Sequence, residues 1–219
     1  MKSIFGNGNF DQIKEAYKSV RTSIQFSNRD ENIKSILVTS SKQNEGKSGV
    51  TSNLAESFSN LDKKIIIIDA DLRNPTIHKI YGLNNEPGLS NIIINDENLE
   101  DCIHKDISLG LDILSAGTMQ PNPSELLHSE IVKELIDSLK EEYDYVFIDS
   151  SPIGIVTDAG ILASFVDGVI FVVGSDEVDD RMVKISKDRL NKVNANILGV
   201  ILNKYKCNRN EYNYYTKGD

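Results

Sequence analysis

The sequence Ser-Lys-Gln-Asn-Glu-Gly-Lys-Ser occupies residues 41–48 and follows the apolar run Ile36–Val38. A strand that leads into such a polar loop is typical of a phosphate-binding loop, in which backbone N–H groups surround a phosphate. In this interpretation Gly46 lets the backbone approach the anion, Lys47 reaches the β- and γ-phosphate oxygens, and Ser48 offers a hydroxyl to Mg²⁺. The loop therefore predicts nucleotide chemistry at the end of this strand.

The loop departs from the pattern G-x-x-x-x-G-K-[ST] at two places. Ser41 replaces the first Gly, where a small residue suffices, and Asn44 replaces a frequent Gly but tolerates positive φ. A chance Gly-Lys-Ser in a polar loop is the alternative, and we favour the functional interpretation because the tripeptide stands between an apolar strand and an amphipathic stretch. The predicted nucleotide-binding residues of the loop are Ser41, Lys42, Gln43, Asn44, Glu45, Gly46, Lys47, Ser48 and Gly49.

Acidic residues follow two further apolar runs. Asp69 and Asp71 come after Ile65–Ile68, and Asp149 comes after Tyr145–Ile148. Residues two apart in an extended chain share a face, so the first two carboxylates can point together. Carboxylates at strand ends bind Mg²⁺ directly or through water, and these three are predicted magnesium ligands together with the hydroxyl at position 48. For each Asp alone, the alternative is a turn residue or a helix cap.

Composition narrows the possible functions. The chain has 219 residues and a formal net charge of −9, which suits one domain and argues against non-specific binding to nucleic acid or anionic lipid. Cys102 and Cys207 lie far apart without metal-like spacing, so we expect reduced thiols and a cytoplasmic protein. No apolar run approaches the ~20 residues that span a bilayer, and the polar N-terminus does not suggest a signal peptide. Membrane association is therefore expected only through a partner.

Apolar strands alternate with helical stretches along the chain, which predicts an α/β fold with an open, mostly parallel sheet and helices on both faces. The predicted domain spans 1–204, including an N-terminal amphipathic helix at 10–27, and residues 205–219 are expected to form a flexible, tyrosine-rich tail. The predicted strands are Ile33–Val38, Lys64–Ile68, Leu111–Leu114, Tyr145–Ile148, Gly168–Val173 and Ile197–Leu202. The predicted helices after the first are Gly46–Asn60, Ser129–Glu142, Thr157–Ser164 and Asp180–Val193.

Several segments together resemble the bacterial tyrosine kinases that regulate capsule and exopolysaccharide export, a family of the P-loop NTPase-like, deviant Walker A (MinD-like) branch. The resemblance covers nearly the whole chain, and two segments make it specific, Asp69-Ala-Asp-Leu-Arg-Asn-Pro75 and Pro121-Asn-Pro-Ser-Glu-Leu-Leu127. The first resembles the family's Walker A′ motif, and its Arg73 can pair with a phosphate or a carboxylate. The other similar segments are Ser40–Ser48 (Walker A), Phe147–Pro152 (Walker B), Glu86–Ser90 and Leu198–Asn203, and the last adds Asn203 to the predicted nucleotide-binding residues.

The resemblance also implies contacts between subunits. Glu15, Lys18 and Arg21 resemble the family's E-x-x-R-x-x-R element, which forms contacts in a ring-shaped homo-oligomer. Lys18 replaces the middle Arg, and an ammonium cannot reproduce a planar fork, so this contact is expected to be weaker. A solvated helix face is the alternative. The family's C-terminal tyrosine cluster, phosphorylated between neighbouring subunits, corresponds here to the predicted acceptors Tyr205, Tyr212, Tyr214 and Tyr215.

The activity implied is ATP-dependent, Mg²⁺-dependent phosphorylation of tyrosine. Lys47 would neutralise charge on the transferred group, and Asp69 or Asp71 would accept the phenol proton; the sequence does not choose between them. The implied partner is a membrane adaptor of the polysaccharide co-polymerase, or chain-length-determinant, type, which would recruit the cytoplasmic chain to the inner face of the membrane. No nucleic-acid partner is implied.

Two rival functions remain open from the sequence. Lys42 lies five residues before Lys47, the spacing of the signature lysine in partitioning and cell-division ATPases, so a ParA/MinD-like ATPase switch is one alternative. For Lys42 itself we favour a solvated loop lysine. Asn44 and Gly49 depart from the usual Gly-Glu-Gly-Lys-Ser-Thr, and Ser150-Ser151-Pro152 stands where Thr-Pro-Pro is usual. These departures leave a non-catalytic nucleotide-binding scaffold as the second alternative.

Overall fold

A computed structural model describes residues 10–27, 32–108 and 110–205. Within these residues, seven strands form one sheet in the order β3-β4-β2-β5-β1-β6-β7. The strands are β1 (Ser35–Ser40), β2 (Ile65–Asp69), β3 (Ile103–Ser108), β4 (Leu111–Leu114), β5 (Tyr145–Asp149), β6 (Gly168–Gly174) and β7 (Ile197–Asn203). The helices are α1 (Phe10–Ser27), α2 (Lys47–Ser59), α3 (Ile77–Tyr81), α4 (Leu89–Asn95), α5 (Leu99–Cys102), α6 (Pro123–Leu127), α7 (Glu130–Glu142), α8 (Asp158–Ala163) and α9 (Asp180–Lys192).

Helices cover both faces of the sheet, and each face has its own apolar core. One core joins the sheet to α1, α2 and α3, and the other joins it to α4–α9. The isoleucines of β2 alternate between them, because Ile65 and Ile67 belong to the first core and Ile66 and Ile68 to the second. The predicted α/β architecture with a mostly parallel sheet is confirmed, since every described strand pair except β3–β4 is parallel.

The six predicted strands are present, with ends within two residues of those predicted. Most of them extend further at the carboxyl end, because polar residues at the tip still take part in the ladder. Ser40 pairs with Val172, and Asp69 pairs with Asp149 in the register of their strands. The tips that carry the candidate site are therefore part of the rigid sheet.

The antiparallel edge strand β3 was not predicted. Its sequence, Ile-His-Lys-Asp-Ile-Ser, is half-exposed and lacks the continuous apolar run that marks the central strands. The short helices α3 to α6 were also not predicted, since four to seven residues give too few turns for an apolar period to appear.

Two further observations concern Cys102 and the helices. Cys102 is a free, buried thiol, and burial raises its pKa to about 11, so it is unreactive near neutral pH; Cys207 lies outside the described residues. Across the described ranges, no helix combines the length and the apolar character needed to cross a membrane.

Candidate nucleotide-binding site

A cavity of about 480 Å³ opens where β1, β2 and β5 end, at the edge where open parallel sheets bind ligands. Three segments form most of its wall: the phosphate loop (residues 41–48) with the start of α2, the turn after β2, and the turn after β5. Ile80 of α3 and Lys204 after β7 complete the wall. The lining residues are Gln43, Asn44, Gly46, Lys47, Ser48, Gly49, Asp71, Arg73, Asn74, Thr76, Ile80, Ser151, Pro152, Ile155, Val156 and Lys204.

The backbone of the phosphate loop needs the residues found at two positions. Gly46 has φ +86°, and a Cβ there would lie 2.2 Å from Nδ2 of Asn203. Asn203 uses that amide to donate to the carbonyl oxygen of Glu45 at 2.8 Å. Asn44 has φ +67°, which agrees with the expectation that Asn replaces Gly in a left-handed conformation. Gly46 is therefore required both for its conformation and for the close approach of β7.

Glu45 is a buried carboxylate that stabilises the loop from beneath. It accepts hydrogen bonds from Ser41 Oγ at 2.7 Å, from Lys42 N at 2.7 Å and from Gly174 N at 2.9 Å. The side chains of Ser41 and Glu45 are thus directed to the protein interior, where they hold the loop in shape. Gln43 and Gly49 line the cavity, whereas Lys42 borders an outer groove beside Ile155.

Four of the predicted catalytic and metal-binding side chains meet at the start of α2. Nζ of Lys47 lies 2.8 Å from Oδ2 of Asp71 and 3.5 Å from Oδ2 of Asp149. Ser48 donates its hydroxyl to Asp149 at 2.5 Å, and Thr51 donates to the same carboxylate at 3.2 Å. The arrangement places one ammonium between two buried carboxylates, with a hydroxyl at the helix N-terminus beside them.

The electrostatics of this cluster favour a bound cation. Burial by itself lowers the pKa of Lys47, but Asp149 and Asp71 outweigh it and the pKa is raised, so the ammonium stays charged. Burial raises the pKa of Asp149 in spite of Lys47 and the hydroxyl of Ser48. Acidic groups therefore outnumber the ammonium in a poorly solvated site, and a divalent cation would relieve this imbalance.

Asp69 and Asp71 have different partners although they are two residues apart. Oδ2 of Asp69 accepts from the backbone N–H groups of Thr76 and Ile77 at 3.0 and 2.9 Å, so this carboxylate caps the start of α3. Burial, and secondarily Asp149, raise the pKa of Asp69. Only Asp71 of the two lines the cavity and contacts Lys47, so it is the better placed of the two to meet a substrate.

Arg73 binds a carboxylate, one of the two predicted partners. Its Nε lies 2.7 Å from Oδ2 of Asp158, and its Nη2 donates to Oδ1 of Asp158 at 3.1 Å and to Ser124 Oγ at 3.0 Å. Burial raises the pKa of Asp158, but the hydrogen bonds from Arg73 and Ser124 outweigh it and the pKa is lowered. The carboxylate therefore remains ionised against the guanidinium.

Several side chains at the site were not predicted from the sequence. Thr51 contacts Asp149, Thr76 donates its hydroxyl to Ser48 at 2.8 Å, and Lys204 donates to the carbonyl oxygen of Asn44 at 2.5 Å. Asp158 is a fourth such residue, with a buried carboxylate near the cavity. Hydroxyl, ammonium and carboxyl groups are common at protein surfaces, so the sequence alone does not assign these four residues to the site. The assignment becomes possible only when the sheet brings distant segments together.

The predicted subunit contacts on α1 are partly engaged within the chain. Lys18 forms an ion pair with Glu15, and both side chains are more than half exposed. Arg21 donates to the backbone and side chain of Ser57 on α2, the latter at 3.3 Å. Glu15 and Lys18 are therefore available at the surface, while Arg21 also joins α1 to α2.

The predicted tyrosine acceptors lie at the end of the chain. Tyr205 directly follows Lys204 and is 57% exposed. Tyr212, Tyr214 and Tyr215 lie outside the described residues.

The metal-binding prediction can be tested on the donor set. Within the described part of the chain, no three His, Cys, Asp or Glu side chains are arranged to hold a metal ion by themselves. Mg²⁺ commonly takes only one or two carboxylates and completes its shell with water and phosphate oxygens. The adjacent oxygens of Ser48 and Asp149 fit that mode.

Sequence comparison identifies relatives along nearly the whole chain. Residues 33–198 match the family model described as AAA domain. The chain is 38% identical over 207 residues to the putative tyrosine-protein kinase CapB of Staphylococcus aureus, covering 94% of this chain and 91% of that protein. It is 37% identical over 206 residues to the tyrosine-protein kinase YwqD of Bacillus subtilis, covering 94% and 87%.

Solved structures agree with this relationship. The chimerical protein CapA2B2 aligns with a TM-score of 0.85 and 36% identity, over 88% of this chain and 85% of that one. The kinase domain of the Escherichia coli tyrosine kinase ETK aligns with a TM-score of 0.83 and 29% identity, over 89% and 78%. The septum site-determining protein MinD of Pyrococcus horikoshii, solved with Mg-ADP, aligns with a TM-score of 0.67 and 25% identity, over 81% and 72%. The chain has a P-loop NTPase fold and belongs to the family of bacterial tyrosine-protein kinases.

Proposed function

We propose that the chain is an ATP-dependent tyrosine autokinase that phosphorylates the C-terminal tyrosines of neighbouring copies and thereby regulates capsule or exopolysaccharide synthesis and export. The observation that carries the proposal is the position of Lys47, 2.8 Å from Asp71 and 3.5 Å from Asp149 at the wall of the cavity. This arrangement supplies both a cation for the phosphates and a carboxylate for the acceptor at one place.

The phosphate loop and the N-terminus of α2 bind the phosphates through backbone N–H groups, and Lys47 neutralises charge on the group being transferred. Ser48 and Asp149 would supply oxygen ligands for Mg²⁺, with Asp69 or Asp71 contributing directly or through water. When bound, the ion would supply positive charge that offsets the charge of the phosphates.

In the reaction, the phenol oxygen of a tyrosine forms a bond to the γ-phosphorus while the bond to the β–γ bridging oxygen breaks. ADP leaves with the bridging electron pair, and the phenol proton passes to a carboxylate. Asp71 is the preferred acceptor of that proton because it lines the cavity, whereas Asp69 is occupied by the start of α3.

Tyr205, Tyr212, Tyr214 and Tyr215 are the proposed acceptors. Each phosphate would add roughly −1.5 to −2 charges at neutral pH. The chain already carries a formal charge of −9, so repulsion between neighbouring tails would loosen a homo-oligomer built through Glu15, Lys18 and Arg21. Phosphorylation and assembly would then alternate.

The proposed partner is a membrane adaptor of the chain-length-determinant type, which would recruit the cytoplasmic chain to the membrane and activate it. The family assignment supports this partner. Co-purification with the adaptor's cytoplasmic segment, and a rise in phosphotyrosine when that segment is added, would test it.

The kinase proposal is tested by incubating the full chain with Mg²⁺ and ATP and mapping phosphate by mass spectrometry. We expect phosphotyrosine on the tail, none in Lys47→Met, and none on the tail of a variant with all four acceptors changed to Phe. Binding of ATP by the Phe variant should remain as in the unchanged chain, which would separate loss of the acceptor from loss of the site.

A nucleotide-gated ATPase switch is the second candidate, favoured by the likeness to MinD and by Lys42 at the outer groove. Release of inorganic phosphate from a chain that stays unmodified, with dimers formed only in ATP, would replace the kinase proposal with this one. ATP binding without either product, even with the adaptor segment present, would indicate a scaffold.

A further inference from the structure

Asp158 is a fully buried carboxylate that the proposed chemistry does not use. It lies at the start of α8 and accepts four hydrogen bonds, two from Arg73, one from Ser124 at 2.6 Å and one from Ser151 at 3.2 Å. Burying a charge is costly unless hydrogen bonds and an opposite charge compensate it. The groups that compensate this charge lie at the rim of the cavity.

The partners of Asp158 come from three segments that are separate in the sequence. Arg73 belongs to the turn after β2, Ser124 to the Pro-Asn-Pro-Ser segment that begins α6, and Ser151 to the turn after β5. Ser151 also donates to Asp71 at 3.1 Å, so the network continues to the proposed proton acceptor. One carboxylate thus joins three sides of the region around the site.

These contacts fix one edge of the Arg73 guanidinium and do not involve its other edge. Nε and Nη2 are engaged by Asp158 and Ser124, while Nη1 takes no part in these contacts. The side chain is 40% exposed and lines the same cavity as Lys47. A guanidinium is planar, so fixing one edge fixes the direction of the remaining donors.

We propose that Arg73 binds the terminal phosphoryl group of the nucleotide and that Asp158 is the positioning residue that holds it ready to do so. The phosphate loop and the N-terminus of α2 form one wall of the cavity, where the inner phosphates would lie. Arg73 stands on another wall, two residues beyond Asp71, so its free donors are placed for the last phosphate. This inference rests on the proposed function only in taking a nucleoside triphosphate as the ligand.

The test compares a non-hydrolysable ATP analogue with ADP, both with Mg²⁺, by calorimetry on the full chain. We expect Arg73→Gln to lower the affinity for the triphosphate analogue by roughly tenfold or more, as for loss of a hydrogen bond from a charged donor. The affinity for ADP should fall by less than about threefold. Arg73→Lys should not restore the affinity, because an ammonium cannot keep both the Asp158 and the phosphate contacts.

A double-mutant cycle tests the positioning role. Asp158→Asn should lower the affinity for the triphosphate analogue more than the affinity for ADP. In the Arg73→Gln background it should cause little further loss of affinity, because Asp158 acts through the arginine. If Asp158→Asn lowers the melting temperature too far, Ser124→Ala removes one of the contacts to Arg73 while keeping the ion pair, and it should give a smaller loss of the same selectivity.

If the variants lose equal affinity for the triphosphate analogue and for ADP, or if the losses of affinity are additive in the cycle, the inference is overturned. Asp158 would then be a structural link between α6 and α8. A raised KM for a tail peptide with an unchanged preference for the triphosphate would assign Arg73 to the acceptor instead, and would also overturn it. The calorimetric comparison and the double-mutant cycle measure binding alone, and neither requires phosphotyrosine to form. A chain that binds the triphosphate through Arg73 but never phosphorylates tyrosine would contradict the proposed function alone.

Discussion

Asn203 donates its side-chain amide to the carbonyl oxygen of Glu45 at 2.8 Å, which joins the end of the last strand to the phosphate loop. The next residue, Lys204, donates to the carbonyl oxygen of Asn44 and pairs with Glu177 at 2.9 Å. The loop is therefore held both from beneath, by its own buried Glu45, and from the side, by β7. Its conformation depends on residues that are 158 and 160 positions away in the sequence.

Two glycines of the loop region should respond in opposite ways to alanine. In Gly46→Ala the new Cβ would meet Asn203 at 2.2 Å in a left-handed backbone, so we expect lower stability and weaker nucleotide binding. Gly49 lies in the first turn of α2 with nothing within 4 Å of an added Cβ, so Gly49→Ala should raise stability by up to about 1 kcal/mol. Urea unfolding measures the stability of each variant, and calorimetry with Mg²⁺ and ATP measures its nucleotide affinity. A Gly46→Ala variant more stable than the unchanged chain would contradict the left-handed conformation at Gly46.

Glu45→Gln should destabilise the chain although it keeps the size of the side chain. The carboxylate accepts from three donors, and an amide would turn an NH₂ group toward one of them, at a cost of about 2 kcal/mol. The matched control is Glu177→Gln, a partly exposed partner of Lys204, for which we expect less than about 1 kcal/mol. Similar unfolding midpoints for the two variants would show that Glu45 is not the main support of the loop.

The two lysines of the loop should differ in their effect on nucleotide binding. Lys47→Met removes the ammonium that lies between Asp71 and Asp149, and we expect the affinity for ATP to fall by roughly tenfold or more. Lys42→Met changes a side chain at the outer groove, so affinity and tail phosphorylation should stay within about twofold. If Lys42→Met instead abolishes ATP-dependent dimers and phosphate release, the ATPase switch gains support.

Asp167 provides a test of pH dependence away from the site. Burial raises its pKa, but hydrogen bonds from the backbone of Ser35 and Lys34 and from Lys140 outweigh it, so the folded pKa lies below the ordinary value of 3.8. A depressed pKa means that the charged form stabilises the fold above about pH 4 and that this stabilisation is lost as the pH falls through the folded pKa.

Asp167→Asn should therefore cost about 1–2 kcal/mol at pH 7 and less at pH 3, because the unchanged chain loses the same contribution in acid. Chemical unfolding at the two pH values measures the difference. If Asp167→Asn lowers the free energy of unfolding equally at the two pH values, the charge of Asp167 adds no stability beyond its hydrogen bonds.

The central strands and the loop could be predicted because both rest on local sequence. A strand buried on both faces must be apolar throughout, and Gly-Lys-Ser soon after such a strand is typical of a phosphate-binding loop. The edge strand β3 could not be found in this way, since it is half-exposed and pairs only with β4. Its position follows from contacts that no short window contains.

The roles within the site were harder to predict than its residues. Asp69 and Asp71 look equivalent in the sequence, and the difference arises because the chain after Asp71 turns back and places the start of α3 on Asp69. Asp158 carried no signal, since its partners Arg73 and Ser124 lie 85 and 34 positions away. Charge and residue type identify candidates, but the partner of each charge is decided by the tertiary fold.

The alternating isoleucines of β2 have a consequence for how this site can change. They fill both interiors, two to each side of the sheet, so a shift of the strand by one position would bring Lys64 or Asp69 into an apolar layer. The position of Asp69 at the carboxyl end of β2 is thus fixed by the hydrophobic contacts of the isoleucines before it. Selection for a filled interior and selection for a correctly placed carboxylate therefore act on the same few residues.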